Sequence, residues 1–219
     1  MTLEYSKVIN TVIERLRNAH NLSIAKIRGR FFQMECNFFQ KHITNKKVLV
    51  AGSGLGHDSF ELAKYNKEVV GIEIIEKYVK ISREEAEKRD LNNIVFKKGD
   101  FTELEYSDNY FDAAVLNMGT ISNFDDKSKV IKELLRVSKK VYVDFYPPTE
   151  NGLKKRQKMY EEEKWINVRI EGTKIVSDDG LDSISISKDE MLKIIQSIGG
   201  KVTFHEICDF ALLAEIEDF

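Results

Sequence analysis

The chain has 219 residues, a formal net charge of −2 and 42% apolar residues, enough for one domain of ordinary size, or one with a small addition, around a substantial core. This balance excludes a global positive field aimed at nucleic acid or an anionic membrane, leaving at most a local basic patch, and no apolar run is long enough to span a bilayer. Cys36 and Cys208 have neither the number nor the spacing of a disulfide framework or a zinc site, the N-terminus does not read as a signal peptide, and a reducing, cytoplasmic setting is expected.

Residues 3–19 place Leu3, Val8, Val12, Ile13 and Leu16 on one helical face. A second helical pattern over 23–42 carries Ile24, Ile27, Phe31, Phe32 and Phe39, with Arg28 and Arg30 on its other side. Its aromatics suit packing onto the main domain; a lid over a site is the other reading. A strand follows at 47–51, then a helix over 59–67. Glu68 to Glu73 is a short apolar strand ending in an acid, and 75–88 is helical with Ile75, Tyr78, Val79 and Ala86 inward. A third strand begins at 93–96, a fourth spans 111–116, a helix covers 127–138, and a fifth strand runs over 141–145. Strands alternating with helices predict a parallel sheet covered on both faces, and ligands of such sheets bind beyond the C-terminal strand ends.

The pattern changes after Pro147-Pro148, the only prolines in the chain. A charged helix over 150–163 precedes strand-like runs at 166–171, 173–177 and 182–187, separated by turn residues, which read as an inserted antiparallel flap. Ser187-Lys188-Asp189-Glu190 has the form of a capping box and starts a helix ending at Gly199-Gly200. The runs at 201–208 and 210–217 are close enough for a closing hairpin.

The stretch Val48-Leu49-Val50-Ala51-Gly52-Ser53-Gly54-Leu55-Gly56 organises the chain. A buried strand runs into glycines at alternate positions, which permit φ > 0 and let backbone approach a ligand. The following helix points free N–H groups at the turn. Such a turn suits a polar or anionic cofactor; a mere connector is the bland alternative. Glu73, Asp100 and Asn117 each stand just past a strand, where they line one crevice beside this turn. Glu73 is placed to accept two ribose hydroxyls and Asp100 an exocyclic amine. Main-chain carbonyls near Asn117 are placed to hold an amino group.

Here the chain resembles the class I S-adenosylmethionine-dependent methyltransferases, over about 45–145 and, by topology, over 188–217. The glycine stretch is similar to the family's first motif, Glu73 to its ribose-binding acid, and Gly99-Asp100-Phe101 to its adenine-contacting motif. Asn117-Met118-Gly119 falls where the family's fourth motif flanks the methionine part of the cofactor. The resemblance implies a Rossmann-like, doubly wound, mostly parallel seven-stranded sheet with an antiparallel C-terminal hairpin. It implies one domain over 1–219: N-terminal helices over 1–44, a cofactor-binding core over 45–145, an insertion over 146–187 and a closing helix and hairpin over 188–219. S-adenosylmethionine is the implied cofactor, held by Gly52, Ser53, Gly54, Gly56, Glu73, Ile74, Asp100, Phe101, Asn117 and Met118, with no metal. One departure stands out. Val50 occupies a position where the family usually has Asp or Glu, and Asp58 or a water is the candidate substitute. A nicotinamide dehydrogenase is the competitor on the same fold, but its fingerprint wants a small residue where His57 stands.

The acceptor is less legible, because methyl transfer from a sulfonium needs positioning more than a nucleophile or metal, and no catalytic residue stands out. Pro147-Pro148 follows the wrong strand to belong to a base-amine methylation motif. Lys154, Lys155, Arg156 and Lys158 read as a solvated face compensated by Glu161, Glu162 and Glu163. Gly119-Thr120-Ile121-Ser122-Asn123-Phe124 loosely resembles a loop of small-molecule N-methyltransferases acting on amino acids. Tyr146 and Trp165 are either acceptor-pocket aromatics or packing residues. His57 and His205 read as structural, and His20 and His42 lack metal-ligand spacing. A small-molecule methyltransferase is expected, with the flap and N-terminal helices closing over an amine or amino acid. An RNA or protein methyltransferase, a non-catalytic binder of the cofactor or a nucleoside, and an NAD-dependent oxidoreductase are the alternatives.

Overall fold

Short apolar runs set between helical stretches bury both faces when they align as a parallel sheet. The computed structural model describes residues 13–15, 17 and 26–218. Its strands are β1 (Lys47–Ala51), β2 (Glu68–Glu73), β3 (Ile94–Lys98), β4 (Ala113–Leu116), β5 (Lys140–Phe145), β6 (Arg169–Glu171), β7 (Lys174–Val176), β8 (Asp182–Ile184), β9 (Lys201–Cys208) and β10 (Ala211–Glu217). Seven of them form one sheet in the order β3-β2-β1-β4-β5-β10-β9. β1 to β5 pair in parallel, and β10 runs antiparallel to both β5 and β9. The helices are α1 (Lys26–His42), α2 (His57–Ala63), α3 (Glu76–Lys88), α4 (Lys127–Val137), α5 (Glu150–Glu162) and α6 (Lys188–Ser197).

Strand residues alternate between the two faces. Val48 and Val50 join a core with Phe31 and Phe39 of α1, Phe60 of α2 and Val79 of α3. Leu49 and Ala51 join the opposite core with Val130 and Leu134 of α4 and Met191 and Ile195 of α6. Side-chain caps set three helix starts: Asp126, Thr149 and Ser187 accept the N–H groups of Lys129, Gly152 and Glu190.

The expected seven-stranded fold, closing hairpin and inserted flap are all present. The flap is a three-stranded antiparallel sheet, β6-β7-β8, preceded by α5. Element ends differ. The helix after the glycine turn spans His57–Ala63 rather than 59–67, and the third strand runs to Lys98. Most of the helix expected over 3–19 lies outside the described residues, as do 23–25 and His20; residues 13–15 and 17 are helical.

Two expectations about charge are overturned. The residue pattern puts Arg28 on the outer side of its helix, yet the inward stripe of α1 is Arg28, Phe31, Glu35 and Phe39, and all four are buried. The charge pattern puts Arg156 on a solvated face, yet it is 0% exposed. Lys154 and Lys155 do pair at the surface, with Glu150 and Asp209. Arg156 instead donates from Nη1 to Ser185 Oγ at 2.7 Å and from Nη2 to the Ser183 carbonyl and hydroxyl at 2.8 and 2.6 Å. The Tyr160 hydroxyl donates to the same Ser183 Oγ at 2.8 Å. The guanidinium thus bolts the flap to α5. Arg156→Met strands these acceptors, and the expected cost is about 1–3 kcal/mol. Hydrogen exchange should show it as faster exchange across β7 and β8; unchanged protection there would refute this anchoring.

Candidate functional site

The backbone after β1 turns through Gly52 at φ +66° and Gly54 at φ +53°. A Cβ on Gly54 would meet no atom within 4 Å, so the position faces open space rather than packing. Glu73, at the end of β2, holds this turn. Its Oε2 accepts the Gly54 N–H at 3.0 Å and its Oε1 the Ile75 N–H at 2.9 Å. The carboxylate is buried, and it retains lone pairs for further donors. Ile74 beside it is 63% exposed, a large apolar side chain standing free at the strand end.

A second turn follows β4. Asn117 and Met118 lead into Gly119, with φ +58° at Met118 and +66° at Gly119. A non-glycine residue at positive φ is strained, and such strain gathers at functional sites. Asp144 of β5 holds this turn from below, accepting the Gly119 N–H at 3.0 and 3.1 Å on its two oxygens. The Asn117 carbonyl is fully used within the turn, accepting from Thr120 N and Oγ1 at 3.1 and 2.5 Å. Of the main-chain carbonyls near Asn117 expected to hold an amino group, this one is therefore already engaged. The polar capacity left at Asn117 is its side chain.

The two turns enclose a cavity of about 140 Å³ lined by Gly52, Ser53, Gly54, Asp58, Asn117 and Met118, with Val50 in its wall. Of the expected site residues, five meet here. Gly56 does not: a Cβ on it would lie 2.7 Å from the Phe96 ring, so glycine there serves packing. The Phe101 ring packs against Gly52 and Phe124. Asp100 is exposed in a separate crevice that shares no lining residue with this cavity, so Asp100 and Asn117 do not line one crevice as expected; there its Oδ1 accepts the Thr102 N–H at 2.8 Å. Asp100→Ala is expected to weaken cofactor binding about tenfold, since a bond to a charged acceptor contributes roughly 1.5 kcal/mol or more. Unchanged affinity in calorimetry would remove Asp100 from the site.

A larger cavity of about 290 Å³ adjoins the first through Met118 and Thr120, which line both. Its far walls are Arg15, Arg28, Tyr160, Glu163, Trp165 and Ser183, so α1, α5 and the flap all contribute. Arg28 Nε donates to Glu163 Oε1 at 2.7 Å, and its Nη1 to Met118 Sδ and the Tyr146 hydroxyl, both at 3.4 Å. Trp165 Nε1 donates to the other Glu163 oxygen at 3.1 Å, and the Arg15 guanidinium lies over the Trp165 ring. Trp165 thus faces the cavity. Tyr146 does not line it, and its buried ring packs on Phe31 and under the Arg156 guanidinium.

Arg28 on the larger cavity and Asp58 on the smaller one belong to a set of ionisable groups that residue patterns did not reveal. Glu35 is 0% exposed, and neither of its oxygens has a hydrogen-bond partner among the described residues. Burial, then the carboxylates of Asp144 and Asp58, push its pKa well up. Burial likewise raises Asp58 and Asp144 to about 7. Arg28 opposes the shift at all three acids, and it stays charged: burial works against its charge, but Glu163 and the nearby tyrosines outweigh it. Burial lowers His57 to about 4, so the imidazole beside the glycine turn is neutral at pH 7. The spacing 28-31-35-39 was the available signal, since two charges on an apolar helical stripe must be buried together. Among the described residues no cluster of His, Cys, Asp or Glu has the arrangement of a metal site.

A family model for a methyltransferase domain matches residues 42–198. An uncharacterised methyltransferase of Bacillus subtilis, YcgJ, is 27% identical over 108 residues, 48% of this chain and 42% of that protein. The chain spans about half the length of the curated relatives it matches. Among solved structures, the PH0226 protein of Pyrococcus horikoshii superposes with a TM-score of 0.69 at 22% identity, covering 90% of this chain and 96% of that one. Magnesium protoporphyrin IX methyltransferase of Synechocystis, solved with bound S-adenosylhomocysteine, superposes with a TM-score of 0.68 at 18% identity, covering 95% of each chain.

Proposed function

The chain belongs to the class I S-adenosylmethionine-dependent methyltransferase family, and from that premise we propose that it methylates a small-molecule acceptor, an amine or amino acid, held in the 290 Å³ cavity. The observation that carries this reading is the continuity of the two cavities through Met118 and Thr120. A cofactor seated on the glycine turn and an acceptor under the flap meet there.

The residues suit the cofactor. Gly54 leaves room where a side chain would stand, and the smaller cavity carries polar groups without partners. When bound, S-adenosylmethionine supplies a methyl group already activated on a sulfonium. The protein's task is then orientation and exclusion of water. In this reading Glu73, fixed by two backbone N–H groups, accepts the ribose hydroxyls. Ile74 covers one face of the adenine, and Asp100 with Phe101 borders its edge. Gly52, Ser53, Gly54, Asn117 and Met118 surround the methionine portion. Gly56 contributes by letting the turn close against Phe96.

Acceptor size follows from the walls. The flap strands, Trp165 and α1 enclose the larger cavity, and 290 Å³ is at the small end of ligand sites. The neighbouring guanidiniums of Arg15 and Arg28 are each tied to a carboxylate, so neither is a free handle for a phosphate backbone. Cys36 and Cys208 are free thiols, which supports a reducing, cytoplasmic setting. The test is incubation of the protein and labelled S-adenosylmethionine with a metabolite extract, alongside RNA and protein fractions. Label in a small amine or amino acid is expected. Label confined to RNA or protein would overturn the acceptor assignment.

A further inference from the structure

The acid that the resemblance expects at Val50 is absent, and the smaller cavity shows what stands in its place. Val50 is part of the cavity wall, and its side chain has no group that can pair with a cation. On the same cavity lie the Asp58 carboxylate and the Asn117 amide. Asn117 is 6% exposed, and neither its Nδ2 nor its Oδ1 reaches a hydrogen-bond partner among the described residues; Asp58 Oδ1 also lacks one. The amide lies close enough to Asp58 to favour its ionised form, without satisfying its own atoms. Buried polar groups are rarely left so, and each costs free energy until a partner arrives. Asp58 is the residue on this wall that can become anionic, since His57 is neutral and the nearby Arg28 is engaged by Glu163. The vacant bonding capacity therefore consists of an ionisable carboxyl, an amide oxygen and one amide donor. A ligand group that completes it is a cation bearing several N–H donors, joined to a carboxylate or other acceptor for the amide.

We propose that Asp58 and Asn117 together bind the α-amino-acid end of S-adenosylmethionine, Asp58 Oδ1 and Asn117 Oδ1 accepting from its ammonium, so that the acid missing at Val50 is supplied from α2 instead. This deepens the cofactor reading and rests on it. Asp58 and Asn117 act by binding and positioning, not by proton transfer to the acceptor.

The proposal has a proton signature. Asp58 is faced by Glu35, Cys36 and Arg28 of α1, Glu61 of its own helix, Tyr65 and Asp144 of β5. The acids among them and burial favour its protonated form; Arg28 alone of these favours the carboxylate. An arriving ammonium adds a second cation and expels a proton. Ligand affinity should then rise as pH is raised from 6 to 8.

The experiment is titration calorimetry with S-adenosylhomocysteine and with its deaminated analogue, which keeps the nucleoside and carboxylate but lacks the ammonium. For wild type, S-adenosylhomocysteine is expected to bind at least tenfold more tightly than the analogue. Buffers of different ionisation enthalpy should report net proton release for the amine-bearing ligand alone. Asp58→Asn should lose at least tenfold in affinity for S-adenosylhomocysteine, lose the pH dependence, and bind the analogue as wild type does. Asn117→Leu, which removes unsatisfied atoms and so should fold at least as stably, should lose affinity for both ligands, more for the amine-bearing one. If Asp58→Asn weakens both ligands equally, or neither, the assignment is overturned. If wild-type protein binds neither ligand, the cofactor reading itself fails, a result distinct from loss of discrimination between them.

Discussion

Arg28→Met should destabilise the protein by about 3–5 kcal/mol, the cost of breaking a buried ion pair by removing one partner. The methionine fills most of the volume but leaves Glu163 without its 2.7 Å partner. It also removes the guanidinium that opposes the raised pKa values of Glu35, Asp58 and Asp144. The pH dependence has a definite sign. Asp58 and Asp144 have folded-state values of about 7 against an ordinary 3.8, so native carboxyls hold protons that the unfolded chain has released. Their contribution to stability is fully present below about 4 and is lost as pH rises through 7. Without Arg28 these values climb further, while the unfolded chain is unaffected. The difference between variant and wild type should therefore be larger at pH 8 than at pH 6 in urea denaturation. An equal difference at both would mean that Arg28 does not compensate the acids. A loss under 1 kcal/mol would mean that the Glu163 pair contributes little.

Gly54→Val should abolish cofactor binding, with affinity for S-adenosylhomocysteine falling more than a hundredfold. The argument is spatial. A Cβ at this position meets nothing within 4 Å, and the residue borders the smaller cavity, so added methyl groups occupy ligand volume. The backbone cost is modest. A left-handed residue with a Cβ costs about 1–2 kcal/mol, somewhat more when β-branched. The variant should still unfold cooperatively, and Gly54→Ala should be intermediate in both respects. Near-normal binding by Gly54→Val would show that the turn is only a connector.

These two positions differ in how they could be read from residue order. Gly54 was legible. Its role depends on local conformation, and a strand running into alternating glycines specifies that conformation within nine residues. The same holds for Glu73 at the end of β2 and for the alternation of strands and helices that forces a parallel sheet. Closing strands β9 and β10, the flap and the Ser187 cap were likewise visible, because hairpins and caps are short-range devices.

For Arg28 and Glu35 residue order offered only the helical spacing with Phe31 and Phe39, and for Asp144 and Arg156 it offered no signal. Hydropathy assigns a charged residue to solvent unless its partner is known, and these partners are distant: Arg28 and Glu163 are 135 positions apart. Asn117 shows the same division. Its place after β4 was evident, but only the folded turn revealed that Thr120 consumes its carbonyl and leaves the amide unsatisfied. Residue order determined the sheet, the glycine turn and the strand-end residues, because each follows from periodicity and backbone freedom over a few positions. Tertiary structure alone decided which charges are buried together. Desolvation and Coulomb energy act through space, and only the packing of α1, α2, α5 and β5 brings those groups within reach of one another.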